Sequence, residues 1–152
     1  MNTVGKRILL VEDNENDLEL TMMALESSRL AHDVQIARDG EQALEYLERR
    51  GAYIDRPDLD PAVVLLDLKL PKIDGLEVLE RMRVHPKLKT VPVVMLSSSC
   101  EERDIARSYE LGVNAYVVKP VDFEQFSNAI KELAQFWAIV NQPPLRLRDR
   151  RY

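Results

Sequence analysis

The chain has 152 residues, a size typical of one domain with a single hydrophobic core. Its formal net charge is −5, so it lacks the basic surplus that supplies most of the affinity of nucleic-acid-binding domains. No apolar stretch approaches the roughly 20 residues of a membrane span, the first residues do not resemble a signal peptide, and the single cysteine excludes an intramolecular disulfide. We therefore expect a cytoplasmic protein that binds neither nucleic acid nor membrane.

Five short apolar runs alternate with segments of helical periodicity. The runs predict strands at residues 8–11, 34–37, 63–66, 91–96 and 115–118. The periodic segments predict helices after an N-cap at Asn16-Asp17 and at 41–50, 75–85, 101–111 and 122–140. Because strand–helix alternation produces a parallel sheet covered on both faces, we predict an α/β fold with a doubly wound, five-stranded parallel sheet. The order adopted for it is 2-1-3-4-5, one of the common doubly wound orders, which is flavodoxin-like in topology.

The last two predicted helices differ in their apolar faces. The helix at 101–111 is polar on several sides, and its apolar members are Ile105, Ala106 and Tyr109. The last helix carries an apolar stripe close to a 3.6-residue period, formed by Phe123, Phe126, Ile130, Leu133, Trp137 and Val140. In the loop before the first of these helices, Cys100 is expected to be a small buried filler.

Polar residues follow the predicted strands where each strand ends. In chain order they are Glu12-Asp13, Asp39, Asp67, Ser97 and Lys119. Alone, each has an ordinary structural explanation, since an acid at the end of a strand is usually a helix cap or a solvated turn residue. In the predicted sheet, however, strands 1, 3, 4 and 5 end around the point where the strand order reverses, which is where such folds bind ligands. The combination favours one shared site.

Three of these carboxylates predict a metal site. Glu12, Asp13 and Asp67 would share a small volume, and their mutual repulsion calls for a cation. These residues provide only oxygen donor atoms, which favours Mg²⁺ as the bound cation, with Mn²⁺ as the alternative. The backbone carbonyl of Lys69 is a further candidate ligand.

The remaining residues predict phosphoryl chemistry. Asp67 is the candidate nucleophile, because a carboxylate can accept a phosphoryl group as an acyl phosphate. Lys119 would neutralise charge on the phosphoryl oxygens, and Ser97 would offer them a hydroxyl. The Lys119–Pro120 bond is also a candidate for the cis form, since bonds before proline lose most of the trans preference.

Several separated stretches resemble the receiver domain of two-component response regulators. They lie at 8–14, 65–71 followed by Asp74-Gly75, 94–97 and 116–120, and the resemblance covers residues 6–141. It implies that Asp67 is the phosphoacceptor and that a sensor histidine kinase is the donor. It also implies that Ser97 is the switch hydroxyl and that Tyr116 is the switch aromatic, which turns inward when Ser97 moves toward the phosphoryl group.

The same resemblance refines the metal site and the partner. It implies direct ligation of Mg²⁺ by Asp13 and Asp67, ligation by Glu12 through water, and ligation by the Lys69 carbonyl. The connector at 51–61 and the segment 136–144 resemble stand-alone regulators paired with bacterial phytochrome histidine kinases, so a bacteriophytochrome kinase is the expected partner. We expect a single receiver domain over 1–142, followed by a C-terminal tail over 143–152 that is flexible and carries no output domain.

Two other functions compete with a phosphorylation switch. A Mg²⁺-dependent phosphohydrolase would use Asp67 as its nucleophile, but such an enzyme usually needs a second acid nearby, and two residues later the chain has Lys69. An interaction module that works without phosphorylation would have no need of the set formed by Asp13, Asp67, Ser97 and Lys119. Both alternatives are therefore disfavoured, and we expect a signalling switch rather than an enzyme with turnover.

The end of the last helix predicts self-association. Its apolar side chains are Phe136, Trp137, Ile139 and Val140. They exceed what a short covering helix needs, and large exposed apolar patches usually mark interfaces. We expect a homodimer through this extension and the face made by helix 4, strand 5 and helix 5. Packing of the extension against the tail or the sheet edge is the alternative.

Overall fold

The computed structural model describes residues 7–27, 34–56, 60–119 and 122–141. One sheet of five parallel strands has the order β2-β1-β3-β4-β5. The strands are β1 (Ile8–Val11), β2 (Val34–Ala37), β3 (Val63–Leu66), β4 (Val93–Ser97) and β5 (Ala115–Val118). The helices are α1 (Glu15–Ser27), α2 (Gly40–Glu48), α3 (Gly75–Val84), α4 (Glu102–Glu110) and α5 (Phe123–Gln135). The predicted fold class and strand order are confirmed.

Burial of the central strands on both faces of the sheet explains why they could be predicted from apolar runs in the sequence. Every residue of β1, β3 and β4 is buried, as expected for central strands of a parallel sheet covered by helices on both sides. Alternate residues enter two separate cores: Leu9 and Val11 pack with α2 and α3, whereas Ile8 and Leu10 pack with α1 and α5.

The register of the sheet aligns the ends of the central strands. Val11 lies between Ala37 of β2 and Leu66 of β3. The next residues along β1 and β3, Glu12 and Asp67, therefore emerge side by side at the carboxyl edge of the sheet.

The first helix begins differently from the prediction. Its N-cap is Asn14, whose side-chain Oδ1 accepts a hydrogen bond from the amide of Asp17 at 2.9 Å. The predicted cap at Asn16-Asp17 is wrong, because Asn14 already satisfies the exposed amide and leaves both later residues inside the helix. The side chain of Asp17 is consequently available for a tertiary contact.

The last two helices bury their apolar residues to different extents. In α4, Ile105 is half-buried, and Ala106 and Tyr109 are exposed. The last helix changes from α-helical to π-helical geometry at its end, where a π-helical turn (Phe136–Val140) follows α5. The buried positions of this helix and turn include Phe126, Ile130, Ala134 and Ala138, whereas Phe123 and Val140 are exposed. Leu133 and Trp137 are partly buried against the same core, so the predicted stripe is confirmed except at its two ends.

Cys100 was also misplaced by the sequence analysis. It is exposed rather than buried, in the loop between β4 and α4. A small apolar side chain in a loop lacks the periodic neighbours that reveal which positions face a core.

The connector after α2 is folded against that helix. A 3₁₀ turn (Gly51–Tyr53) sets the Tyr53 ring edge-on to Tyr46, with 5.2 Å between the ring centroids. Arg56 then stacks over the Tyr46 ring and donates hydrogen bonds to the carbonyls of Tyr46 and Leu47, at 2.6 and 3.2 Å. Carbonyls in the last turn of a helix need such donors, so Arg56 anchors the connector to the end of α2.

Three predictions fall outside the described residues: the conformation of the Lys119–Pro120 bond, part of the connector at 57–59, and the tail over 143–152. Among the helices that the structure describes, none is long and apolar enough to cross a lipid bilayer.

Candidate functional site

Three carboxylates meet where β1 and β3 end. One ligand oxygen from each of Glu12, Asp13 and Asp67 lies within 4.8 Å of the others. Glu12 is 2% exposed and Asp67 is 9% exposed, whereas Asp13 faces solvent. The sheet register explains this meeting, because both strands end at the same level. The structure therefore brings together all three carboxylates of the predicted metal site.

A close approach by α3 shapes the loop behind Asp67. The amide of Gly75 donates to the carbonyl of Leu68 at 2.8 Å. A Cβ added at Gly75 would lie 2.2 Å from the backbone oxygen of Asp67, so only glycine permits this approach. The amide of Lys69 points toward Asp67 Oδ1 at 3.4 Å. Metal ligation by the Lys69 carbonyl stays a prediction.

Lys119 joins the carboxylates from β5. Its Nζ lies 2.7 Å from Glu12 Oε1, 2.9 Å from Asp17 Oδ2 and 3.4 Å from Asp67 Oδ2. Burial by itself lowers the pKa of Lys119, but hydrogen bonds with Glu12 and Asp17 and the charge of Asp67 outweigh burial and raise that pKa. Lys119 is therefore a permanent positive charge at this edge of the sheet.

The electrostatics of Glu12 fit a divalent cation. Burial raises the pKa of Glu12 to about 7; Lys119 opposes this rise, and the neighbouring carboxyl of Asp67 reinforces it. Because burial is the main cause of this rise, further positive charge beside the carboxyl would favour its ionised form. A divalent cation on the three oxygens would supply that charge, and an all-oxygen donor set suits Mg²⁺ or Mn²⁺.

The predicted switch residues belong to a second network, centred on Ser99. Ser97 is buried, and its Oγ accepts a hydrogen bond from the amide of Ser99 at 3.1 Å. Ser99 Oγ donates to Asp104 Oδ2 at 2.5 Å, and the Tyr116 hydroxyl donates to the Ser99 carbonyl at 2.8 Å. Ser99 thus connects the end of β4 to the first turn of α4 and to β5.

The sequence analysis did not anticipate the contacts that three residues of these networks make. Asp17 was assigned to a helix cap, and the roles of Ser99 and Asp104 in joining the loop to α4 were not anticipated. Asp17 had one visible signal, an acid in the first turn of the helix that follows Glu12-Asp13. No local pattern indicated its contact with Lys119, because the two residues are 102 positions apart.

Comparison with known proteins agrees with this geometry. The family model described as response regulator receiver domain matches residues 8–131. Response regulator Rcp1 of Synechocystis is 41% identical over 132 residues, covering 87% of this chain and 88% of that protein. A Mn²⁺-bound form of Rcp1 has a solved structure with a TM-score of 0.84 and 39% identity, covering 92% of this chain and 99% of that one.

Two further solved structures extend the similarity. The phosphorylated cyanobacterial phytochrome response regulator RcpA has a TM-score of 0.85 and 42% identity, covering 92% of this chain and 99% of that one. The bacteriophytochrome response regulator AtBRR is 61% identical with a TM-score of 0.72, covering 90% and 98%. The predicted resemblance to phytochrome-associated regulators is confirmed. The chain belongs to the response regulator receiver domain family.

Proposed function

We propose that this protein is a signalling switch in which Asp67 accepts a phosphoryl group from the phosphohistidine of a sensor kinase. The observation that carries the proposal is the position of Asp67, which is shared between a metal-fitting cluster and the Lys119 ammonium. A carboxylate oxygen of Asp67 attacks phosphorus, forming an acyl phosphate. The phosphorus–nitrogen bond breaks, and the imidazole leaves with its electron pair.

The residues around Asp67 are proposed to bind the metal and to neutralise the phosphoryl group. Glu12, Asp13 and Asp67, with the carbonyl of Lys69, are the proposed ligands of Mg²⁺, for which Mn²⁺ can substitute. When bound, the metal supplies positive charge to the phosphoryl oxygens. Lys119 provides the fixed charge on the other side, as its contact with Asp67 supports.

The second network is the proposed readout. A phosphoryl group adds roughly −1.5 to −2 charges at the end of β3, by analogy with other phosphorylated residues. The Ser97 hydroxyl moves toward a phosphoryl oxygen, and the loop that carries Ser99 follows. Because Ser99 contacts Asp104 and Tyr116, this movement reaches α4 and β5.

The proposed donor is a cytoplasmic histidine kinase of the bacteriophytochrome type. The support is the similarity to AtBRR and RcpA, whose names record that kind of pairing. The choice of kinase is tested by measuring phosphoryl transfer to this protein from purified histidine kinases of different sensor classes.

The replacement Asp67→Asn tests the acceptor. Wild-type protein with Mg²⁺ and acetyl phosphate should gain the mass of one phosphoryl group, and Asp67→Asn should gain none because an amide is a poor nucleophile. Omission of Mg²⁺ with a chelator present should also prevent labelling. Intact-mass spectrometry measures all three.

The matched control is Asp74→Asn. Asp74 is exposed and caps α3 through its contact with the Glu77 amide at 3.0 Å, and asparagine caps helices about as well. This variant should be labelled like the wild type. Persistent Mg²⁺-dependent labelling of Asp67→Asn would reject the assignment of the acceptor, and steady release of phosphate would favour a phosphohydrolase.

We also propose a homodimer through α4, β5, α5 and the π-helical turn. Large apolar side chains are exposed along this side of the molecule: Tyr109, Val118, Phe123, Phe136, Ile139 and Val140. Sedimentation with and without BeF₃⁻ tests the assembly. Ile139→Ser should weaken it, whereas Met23→Ser, which removes an equally exposed side chain from α1, should not. A monomer under both conditions would refute the dimer.

A further inference from the structure

We propose that Asp17 is a positioning residue for phosphotransfer, which holds the Lys119 ammonium beside Asp67 while Glu12 and Asp67 are engaged by the metal. This inference rests on the proposed function. Its basis is the three-way contact of Lys119 Nζ, in which Asp17 is the only partner outside the metal-fitting cluster among the described residues.

The side chain of Lys119 needs such a partner. The Lys119 amide donates to the carbonyl of Ser97 at 2.8 Å, which extends the pairing of β4 and β5 by one residue and fixes the backbone. The ammonium itself sits at the end of a flexible four-carbon chain and is a point charge without the fixed fork of arginine. Its place is therefore set by the oxygens around it.

Metal binding affects the contacts of these oxygens with Lys119 unequally. Glu12 and Asp67 each offer an oxygen to the cluster, so a bound metal weakens their hold on Lys119. Asp17 lies outside the cluster and keeps its contact at 2.9 Å. An ammonium has three protons to donate, so one can stay on Asp17 while another reaches the phosphoryl oxygen on Asp67.

The position of Asp17 is itself fixed by the first turn of α1. Its amide is held by Asn14, and its carbonyl accepts the Thr21 hydroxyl at 2.7 Å. Its side chain is 33% exposed, whereas that of Lys119 is 9% exposed. The ion pair is thus partly shielded from solvent and anchored on a helix that does not carry the metal cluster.

The test compares Asp17→Asn with Glu15→Gln. Each variant removes one acid from the first turn of α1. Glu15 is 66% exposed and pairs with Arg38 instead of Lys119. Long-range charge and helix-dipole effects are therefore matched, and the control loses a surface ion pair with Arg38 in place of the contact with Lys119. Melting curves confirm that both variants are folded.

Two quantities are measured: the initial rate of labelling by acetyl phosphate at saturating Mg²⁺, and the dissociation constant of Mn²⁺ from its EPR signal. We expect Asp17→Asn to be labelled about 10-fold more slowly than wild type, as for the loss of one charge-assisted hydrogen bond in the transition state. Glu15→Gln should stay within about twofold of wild type, which is the scale of a surface charge change. The two variants should have equal Mn²⁺ affinities.

Equal labelling rates for the two variants would overturn the inference. A selective loss of Mn²⁺ affinity in Asp17→Asn would also overturn it, because Asp17 would then act on the metal instead of on Lys119. Failure of the wild type to be labelled would reject the proposed function itself, so the two failures are distinguishable.

Discussion

The helices α3 and α4 differ in how they are held against the rest of the protein: α3 by buried apolar side chains, α4 with almost none. In α3, Val78, Leu79 and Met82 are completely buried in the core that covers one face of the sheet. Of the nine residues of α4, all of which the structure describes, only Ser108 is buried. Tyr109, one of the few apolar residues of α4, is 52% exposed.

The difference in burial indicates that α3 is part of the rigid scaffold and that α4 is able to move. Burial of one large apolar side chain contributes roughly 1.5–3 kcal/mol, so α3 cannot shift without a large loss of stability. The described contacts of α4 at its start are polar, through Asp104 and Ser99. Elements with few buried apolar contacts move at low cost, and the loop that leads to α4 begins directly after Ser97, the proposed switch residue.

The largest expected effect tests the scaffold. Leu79→Ala should lower the free energy of unfolding by about 3 kcal/mol, because it removes a fully buried side chain and leaves a cavity. Chemical denaturation measures the loss. Val84→Ala is the control on the same helix, since Val84 is 78% exposed, and it should change stability by less than about 0.5 kcal/mol. Equal effects of the two replacements would contradict the assignment of α3 as a scaffold.

A smaller effect tests the polar attachment of α4. Asp104→Ala removes the acceptor of the Ser99 hydroxyl and should cost about 1 kcal/mol, with faster amide exchange in α4 than in α3. Hydrogen exchange read by mass spectrometry locates the change. Glu102→Ala removes an exposed acid from the same turn and is the matched control. If exchange increases equally in both helices, Asp104 does not specifically hold α4.

The smallest effect is expected at the exposed face. Tyr109→Ala should change the free energy of unfolding of the monomer by less than about 0.5 kcal/mol, as for most surface replacements. Denaturation at low protein concentration avoids any contribution from self-association. A loss comparable to that of Leu79→Ala would show that α4 is packed as firmly as α3, and the comparison would fail.

The success of the sequence analysis has a physical explanation. The strands were identifiable because buried parallel strands must be apolar along their whole length. The carboxylate cluster followed from the strand order, since the ends of β1 and β3 must then be neighbours. For these features, local composition and one topological rule are sufficient.

The sequence by itself therefore determined the sheet, its order and the meeting of Glu12, Asp13 and Asp67. Only the tertiary structure decided that Asp17 reaches Lys119, that Ser99 connects Ser97 to α4, and that α4 leaves its apolar residues largely uncovered. The reason is that these features depend on side-chain contacts between separate elements. Helical periodicity shows which side of a helix is apolar, but how deeply that side is buried depends on the neighbours that pack against it.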